Sequence, residues 1–252
     1  MRHALITAGS KGLGKKVAET LLAEGYSLTI NYRSDEIAIE KLCDEWHEYM
    51  DRIQFVKGDV TNKHDLAQLV EDTYDRFSRI DVLVLNAGPY IFERKKLIDY
   101  SDEEWEQMIN GNLSSAFHLF KRVVPIMRSQ GYGRIITYGF QEAQYAPGWI
   151  YRSAFAAAKV GLVSLTKTIS MEEAKHGITA NMVCPGKILG DMKEATIDYA
   201  REIPDEETPV GRSGTGEDIA RTIQFLADPK ADMVTGTVIE VTGGIDVLHK
   251  YR

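Results

Sequence analysis

A glycine-rich turn connects the first apolar segment of the chain to a segment with helical periodicity. Residues 7–14 read TAGSKGLG, after an apolar run at 3–6 and before a helical pattern that ends at Gly25. Because Gly12 and Gly14 lack a Cβ, the backbone there can approach a ligand closely, and the free N–H groups of the next helix face it. The turn is a candidate seat for a phosphate group, with a purely structural turn as the alternative.

Two cations stand where such a turn would place the adenosine end of a dinucleotide. Arg33 and Ser34 follow an apolar segment at 27–32 with strand character, and Lys11 lies within the turn. A carboxylate at this strand end would accept hydrogen bonds from ribose hydroxyls, whereas an arginine accommodates a 2′-phosphate. The pair therefore favours NADP over NAD, with a solvated surface pair as the alternative.

Two further strand ends carry small or polar residues. Asp59 and Val60 follow a strand predicted at 53–56, and the sequence Asn-Ala-Gly at 86–88 follows a nearly continuous apolar run at 80–85. Such a run is typical of a parallel strand covered on both faces. Open α/β sheets bind ligands at the carboxyl ends of their strands. Asp59 is therefore placed either to contact a base or to cap the next helix.

An amide lies in the apolar stripe of a long helix that follows a capping box at 101–104. Asn112 shares this stripe with Trp105, Met108 and Phe117. A buried amide needs hydrogen-bond partners, so Asn112 is either a structural or a catalytic residue.

Strands and helices alternate along the chain. The apolar segments predict seven strands, the last at 238–241. Such alternation forms a parallel sheet with right-handed crossovers and helices on both faces. We expect one α/β domain over residues 1–252, built on a doubly wound parallel sheet. The segment 187–214 has weak periodicity, two prolines and many charges, which predicts a mobile substrate flap.

Composition excludes several classes of partner. With 252 residues and 44% hydrophobic content the chain can bury one large core, and its net charge of −7 offers no basic field for nucleic acid. No apolar run approaches the roughly 20 residues that span a membrane. Cys43 and Cys184 are isolated, and the six histidines are scattered. We expect a cytoplasmic protein without a metal site, a leader or a nucleic-acid or membrane partner.

In this order and spacing, the motifs resemble those of the short-chain dehydrogenase/reductase family, in the branch that includes 3-oxoacyl-carrier-protein reductases. They are the glycine turn at 7–14, Gly-Asp-Val at 58–60, Asn-Ala-Gly at 86–88, Asn-Leu at 112–113, Gly-Arg-Ile-Ile at 133–136, Lys159, the segment 181–186 and the ending at 235–244. The resemblance implies a Rossmann-type seven-stranded sheet, a nicotinamide cofactor at its carboxyl edge, a small-molecule substrate, and a homotetramer or homodimer formed through the two long helices.

The resemblance also implies which residues contact the cofactor, here NADP(H). They are Ala8, Ser10, Lys11, Gly12, Leu13, Gly14, Arg33, Ser34, Asp59, Val60, Asn86, Ala87, Gly88, Lys159, Pro185, Gly186 and Ile188. Ala8 stands where the family usually has the first glycine of the turn. We expect its methyl group to be tolerated on a backbone of negative φ.

The family's proton donor is missing from its usual position. Family members use a tyrosine to carry the proton, and a lysine four residues later lowers the phenol pKa from its ordinary value of about 10. Here Lys159 is present, but the residue four before it is Phe155. The family's serine aligns with Phe140 along the strand, or with Glu142 when counted back from Phe155. Neither residue has a hydroxyl group.

A missing general acid costs roughly 100- to 10,000-fold in rate, so we expect ordinary carbonyl reduction to be weak or absent. The catalytic residues that remain are Asn112 and Lys159. The residues expected to form the substrate pocket are Phe140, Gln141, Tyr151 and Phe155. Local groups that could replace the donor are Tyr138, Tyr145, Tyr151, Gln141 and Glu142.

Three functions therefore remain open. The first is an oxidoreductase with an atypical site, acting on a small carbonyl compound. The second is an enzyme that reduces an activated double bond protonated by water. The third is a non-catalytic NADP(H) sensor or structural subunit of a hetero-oligomer. An acidic carrier protein is a doubtful substrate, because the segment 187–214 carries many carboxylates that would repel it, among them Glu194, Glu202 and Glu206.

Overall fold

Seven parallel strands form the centre of the molecule. The computed structural model describes residues 1–248. The strand order is β3-β2-β1-β4-β5-β6-β7, so the connections reverse direction between β1 and β4. The strands are β1 (His3–Ile6), β2 (Ser27–Tyr32), β3 (Ile53–Lys57), β4 (Val82–Leu85), β5 (Gly133–Tyr138), β6 (Ile178–Pro185) and β7 (Val238–Val241).

Helices cover both faces of this sheet. Alternate residues of each strand point to opposite faces, so Leu5 and Leu83 pack in one apolar cluster while Ile6 and Val84 pack in the other. The helices are α1 (Gly12–Ala23), α2 (Glu36–Glu45), α3 (Lys63–Phe77), α4 (Asp102–Ile109), α5 (Ser115–Gln130), α6 (Ser153–Glu172), α7 (Ile197–Arg201) and α8 (Gly216–Ala227). The first cluster lies under α3, α5 and α6, and the second under α1 and α8.

The prediction of a doubly wound seven-stranded parallel sheet is confirmed. Two local predictions differ from the structure. The long helix after the capping box is two helices, α4 and α5, joined by a π-helical turn at Asn110–Ser114. This turn separates Phe117, which lies on α5 and is 51% exposed, from the apolar stripe of α4. Trp105 lies on α4 with the buried Met108 but is itself 40% exposed. The segment 187–214 contains α7 and a 3₁₀ turn at Gly190–Lys193, which its weak periodicity does not predict.

None of the helices within residues 1–248 has the length and apolarity that crossing a bilayer requires. The same residues bring together no group of three histidine, cysteine or acidic side chains that could hold a metal ion.

A neutral histidine is buried at the amino edge of the sheet. The ring of His3 is fully inaccessible, with Nδ1 2.9 Å from Ser27 Oγ, Nε2 3.1 Å from Thr29 Oγ1, and the Phe77 ring stacked at 4.1 Å. Burial lowers the pKa of His3 from 6.5 to about 3, which the nearby Asp81 carboxylate offsets only in part. The folded protein therefore holds this imidazole uncharged at neutral pH.

This histidine is expected to make folding sensitive to acid. Because its folded pKa lies below its unfolded value, its contribution to stability is complete above about pH 6.5 and is lost as the pH falls towards 3. Between pH 7 and pH 5 the contribution of His3 to the free energy of unfolding should fall by about 2 kcal/mol. Urea unfolding of wild type and His3→Gln at both pH values measures it. The His3→Gln variant should lose about 2 kcal/mol less than wild type over this range, whereas the exposed-site control His47→Gln should not differ from wild type.

Candidate active site

The glycine turn lies where the sheet connections reverse, between β1 and β4. Asn86, at the end of β4, donates from Nδ2 to the carbonyl oxygens of Thr7 (3.1 Å) and Ala8 (2.9 Å), and Thr7 Oγ1 accepts from the Ala87 N–H at 2.9 Å. A Cβ at Gly14 would lie only 2.5 Å from the Ala8 carbonyl oxygen. The predicted residues Ala8, Gly14, Asn86 and Ala87 are thus brought together, and Gly14 cannot be replaced without moving the turn.

A methyl group at Ala8 was expected to be tolerated if φ there is negative, and this condition is not met, because the φ of Ala8 is +50°. The neighbouring hydrogen bonds impose this left-handed backbone. Asn31 accepts from Ala8 N–H through Oδ1 (3.3 Å) and from Gly9 N–H through its carbonyl oxygen (3.1 Å). A left-handed conformation costs a residue with a Cβ roughly 1–2 kcal/mol. The turn therefore keeps the shape that a glycine would adopt more readily.

A cavity of ≈ 470 Å³ lies beside the turn, at the carboxyl ends of β2 and β3. The predicted cofactor residues Ser10, Lys11, Arg33, Ser34, Asp59, Val60, Ala87 and Gly88 all line it. Asp35, which sequence reasoning missed, also lines it, caps α2, and pairs with Lys11 at 3.2 Å. Asp59 Oδ1 accepts from Thr61 N–H at 2.9 Å, so it stabilises the local turn, while Asn62 caps α3.

A second cavity, of ≈ 790 Å³, extends from the turn to the segment 187–214. Gly12, Leu13, Gly88 and Glu194 are among its lining residues. The Gly12 N–H, at the first turn of α1, donates to Glu194 Oε1 at 2.6 Å, and Glu194 Oε2 lies 3.7 Å from Lys15 Nζ. An oxyanion of this chain is therefore bound at the predicted phosphate seat. This contact shows that the seat has the geometry and polarity an anionic ligand needs.

Lys159 and Asn112 lie deeper, on the side of α5 and α6. Lys159 is 4% exposed, and burial lowers its pKa from 10.5 to about 8. Asn112 lies in the π-helical turn and donates from Nδ2 to the carbonyl oxygens of Pro89 (2.9 Å) and Met108 (3.1 Å). Its buried Oδ1 has no hydrogen-bond partner within residues 1–248. Both residues line a cavity of ≈ 10 Å³, about the space for one water.

Aromatic rings surround the position one helical turn before Lys159. Lys159 Nζ lies 5.6 Å from the centre of the Phe155 ring. That ring packs against Tyr90 (5.0 Å between centres), Trp149 (6.0 Å) and Phe140 (6.3 Å). We call Tyr90, Phe140, Trp149 and Phe155 the aromatic cluster. Phe140 is only 4% exposed, so the end of β5 presents a buried ring rather than a polar group.

A third cavity, of ≈ 630 Å³, opens beside the aromatic cluster. Of the four residues expected to form the substrate pocket, only Tyr151 lines it. Phe140 and Phe155 lie in the cluster, and Gln141 instead accepts from the Val247 N–H at 2.7 Å. The predicted residues Gly186 and Ile188 line the cavity, whereas Pro185 does not. Its lining residues are Tyr90, Arg94, Trp149, Ile150, Tyr151, Arg152, Gly186, Lys187, Ile188, Leu189, Glu207, Ile245, Asp246 and Val247.

Two of the suggested replacement donors are badly placed. Tyr138 is buried in the cluster under α1 and α8, where desolvation raises its pKa, and its hydroxyl has no partner within the described residues. Tyr145 is 76% exposed. Sequence reasoning missed Tyr90 and Arg152, which meet at this cavity. The position of Tyr90 two residues after the Asn-Ala-Gly strand end is the signal that could have indicated it.

Known proteins match this chain over almost its whole length. The family model described as "Enoyl-(Acyl carrier protein) reductase" matches residues 7–246. A Bacillus subtilis protein named "Putative oxidoreductase YtkK" is 67% identical over 251 residues, which is 99% of this chain and 98% of that protein. The 3-oxoacyl-[acyl-carrier-protein] reductase FabG of Escherichia coli is 35% identical over 242 residues, 96% of each chain.

A solved structure shares the whole fold. It is described as a "putative 3-oxoacyl-reductase" from Bacillus thuringiensis, and it superposes with a TM-score of 0.95 at 62% identity, covering 99% of this chain and 100% of that one. The matched length, the sheet order and the glycine turn lead to one conclusion. The chain belongs to the short-chain dehydrogenase/reductase family, close to its 3-oxoacyl-[acyl-carrier-protein] reductases.

Proposed function

We propose that the protein is an NADP(H)-dependent oxidoreductase that reduces a small carbonyl compound or an activated double bond, with a proton donor outside the family's usual position. The observation that carries the proposal is the Gly12 N–H, which binds the Glu194 carboxylate. It lies at the same edge of the sheet as the buried pair Lys159 and Asn112. When bound, the reduced nicotinamide would supply a hydride to the substrate carbon.

The residues present fit such a cofactor. The Gly12 N–H would bind the pyrophosphate, and Arg33 with Lys11 would face the 2′-phosphate. Lys159 would donate to the nicotinamide ribose, since a lysine with a pKa of about 8 is still largely protonated at pH 7. Asn112 holds the loop at Pro89 in place through Nδ2, and its free Oδ1 would order the water between it and Lys159.

The donor would be unusual because the position one turn before Lys159 holds a phenylalanine and the end of β5 holds Phe140. Neither ring can give a proton or a hydrogen bond to a substrate oxygen. The site therefore either uses another hydroxyl group or reduces a substrate that water can protonate.

We also propose a class of substrate, an oligomeric state and a location for the protein. A small molecule is favoured over an acidic carrier, because many carboxylates lie along 187–214. A homodimer or homotetramer through α5 and α6 is supported by exposed apolar side chains on these helices and on α4, including Phe117 (51%), Met171 (74%) and Trp105 (40%). We place the protein in the cytoplasm, without nucleic-acid or membrane partners.

Titration with NADPH and NADH, followed by nucleotide fluorescence, tests the proposal. We expect NADPH to bind about 10-fold more tightly than NADH, because one charged hydrogen bond to phosphate contributes about 1.5–3 kcal/mol. Arg33→Ala should remove this preference, while Arg221→Ala, an exposed cation on α8, should keep it. No binding of either nucleotide would disprove the proposal, and binding without turnover of any carbonyl or enone would favour the sensor.

A further inference from the structure

We propose that the Tyr90 hydroxyl is the proton donor of this site, that Arg152 positions it and stabilises the phenolate left after proton transfer, and that the substrate is an aryl carbonyl compound. The proposal rests on the proposed function, since it needs a bound nicotinamide. It assigns a catalytic role to a tyrosine that lies 65 positions before the family's usual one, counted from Phe155 back to Tyr90.

The first support is position. Tyr90 packs edge-on against the Phe155 ring, with ring centres 5.0 Å apart and planes at 83°. Phe155 in turn lies 5.6 Å from Lys159 Nζ. Tyr90 also lines the third cavity together with Gly186 and Ile188, two of the residues predicted to contact the nicotinamide. A phenol is thus present next to the ring that stands at the family's tyrosine position, and it faces the cavity that a substrate would enter.

The second support is the direction of the hydrogen bond. Arg152 Nε lies 2.5 Å from the Tyr90 hydroxyl oxygen. A guanidinium can only donate, so the phenol oxygen accepts in this contact and keeps its own proton to give. Within residues 1–248 the Tyr90 hydroxyl donates to no protein acceptor. The proton is therefore free to point into the cavity.

The third support is that three further hydrogen bonds hold the guanidinium of Arg152 beside Tyr90. Arg152 donates to the carbonyl oxygens of Glu93 (2.8 Å), Tyr151 (2.8 Å) and Phe92 (3.1 Å). These bonds fix the guanidinium beside Tyr90 before any reaction occurs. When the phenol gives up its proton, the negative charge forms next to a positive charge that is already oriented, which is the arrangement that stabilises a transition state.

The carbonyl carbon gains a hydride from bound NADPH, and the carbonyl oxygen gains the proton of Tyr90. The O–H bond of Tyr90 breaks, an O–H bond forms on the product alcohol, and the phenolate paired with Arg152 regains a proton from solvent water. The cavity walls select the substrate class, since Tyr90, Trp149 and Tyr151 present aromatic surface and Ile188 and Ile245 present aliphatic surface.

The first test is turnover of 4-nitrobenzaldehyde with NADPH. We expect Tyr90→Phe to lower kcat by about 100- to 10,000-fold, with NADPH affinity within about 2-fold of wild type because the ring and its packing are retained, and with KM raised by about 10-fold at most, the size of one lost hydrogen bond. Tyr74→Phe, which removes an exposed phenol on α3 outside the described cavities, is the matched control and should keep kcat within about 3-fold. Arg152→Lys should retain more activity than Arg152→Gln, because it keeps the positive charge.

The second test does not depend on turnover. The amide 4-nitrobenzamide offers the same ring and a carbonyl oxygen but is not reduced, and calorimetry measures its binding to nucleotide-free and NADP⁺-loaded protein. We expect Tyr90→Phe to weaken binding about 3- to 10-fold, the usual size of one lost hydrogen bond, and Tyr74→Phe to leave it unchanged.

The outcomes separate the two proposals. If wild type does not bind NADPH, the proposed function fails. If NADPH binds but Tyr90→Phe keeps both kcat and amide affinity, only the role of Tyr90 fails. A wild-type protein that binds NADPH, reduces no aryl aldehyde and binds the amide no better than Tyr90→Phe also overturns the role of Tyr90.

Discussion

Glu194→Ala is expected to tighten NADPH binding about 10-fold. In the structure the Glu194 carboxylate accepts from the Gly12 N–H at 2.6 Å and lies 3.7 Å from Lys15 Nζ. The same N–H is the proposed ligand of the cofactor pyrophosphate, so the two anions compete for one donor. Breaking a hydrogen bond to a charged group costs about 1.5–3 kcal/mol, or roughly 10- to 100-fold in affinity. Because the Glu194 side chain is 43% exposed and its charge is partly screened by solvent, we expect the change in NADPH affinity to be near 10-fold.

Isothermal titration of NADPH into three variants tests this competition. Glu194→Gln keeps an oxygen that can accept from Gly12 but removes the charge, so its affinity should lie between those of wild type and Glu194→Ala. Glu202→Ala removes an exposed carboxylate from the same segment, away from the turn, and should bind NADPH like wild type. Equal affinities for wild type and Glu194→Ala would show that the carboxylate does not obstruct the seat.

The contact between Glu194 and Gly12 holds part of the segment 187–214 against the glycine turn. Lys193 ends the 3₁₀ turn, Glu194 follows it, and both lie against Gly12, so a bound dinucleotide would displace this part of the segment from the glycine turn. The segment would then be released from α1 at the moment when the cofactor binds. The mobility of this segment stays a prediction, and the titrations test only the competition at Gly12.

The fold was readable from the sequence because its signals are local. A continuous apolar run such as 80–85 predicts a strand covered on both faces, and the glycine turn at 7–14 predicts the connection from β1 to α1. The strand ends at Asp59 and Asn86 could be placed at one edge, because parallel strands share the direction of their carboxyl ends. Residues predicted from these ends do line the first two cavities.

The remaining features depend on contacts between distant parts of the chain. The positive φ of Ala8 is imposed by Asn31, and the carboxylate at Gly12 comes from a residue 182 positions away. The pair of Arg152 and Tyr90 spans 62 positions. Gln141 was expected in the substrate pocket, but its side chain accepts from Val247, near the end of the described chain. No spacing rule within one element could indicate these pairings.

A second large effect is expected when the family's donor is restored in a chain that lacks Tyr90. Adding Phe140→Ser and Phe155→Tyr to Tyr90→Phe should recover about 100-fold or more of the lost rate with 4-nitrobenzaldehyde, the size of a general acid's contribution. The phenol introduced at position 155 would lie near Lys159, whose Nζ is 5.6 Å from the present ring centre. At pH 7 this lysine is largely protonated, since its pKa is about 8. A neighbouring positive charge favours the phenolate and so makes the phenol a better acid.

The stability of these variants decides how the kinetics are interpreted. Phe140 is 4% exposed and packs against Trp149 at 5.0 Å, so Phe140→Ser should cost about 3–5 kcal/mol, as other large truncations in a core do. The double variant Tyr90→Phe with Phe155→Tyr keeps Phe140 and so leaves no void in the core. It should recover part of the rate at nearly wild-type stability. Recovery would show that loss of activity in Tyr90→Phe reflects a missing proton donor, because damage to the loop at Tyr90 would persist in every combination. If no combination regains activity while all of them bind NADPH, the hydroxyl of Tyr90 has a role that an acid beside Lys159 cannot replace, and proton donation is not that role.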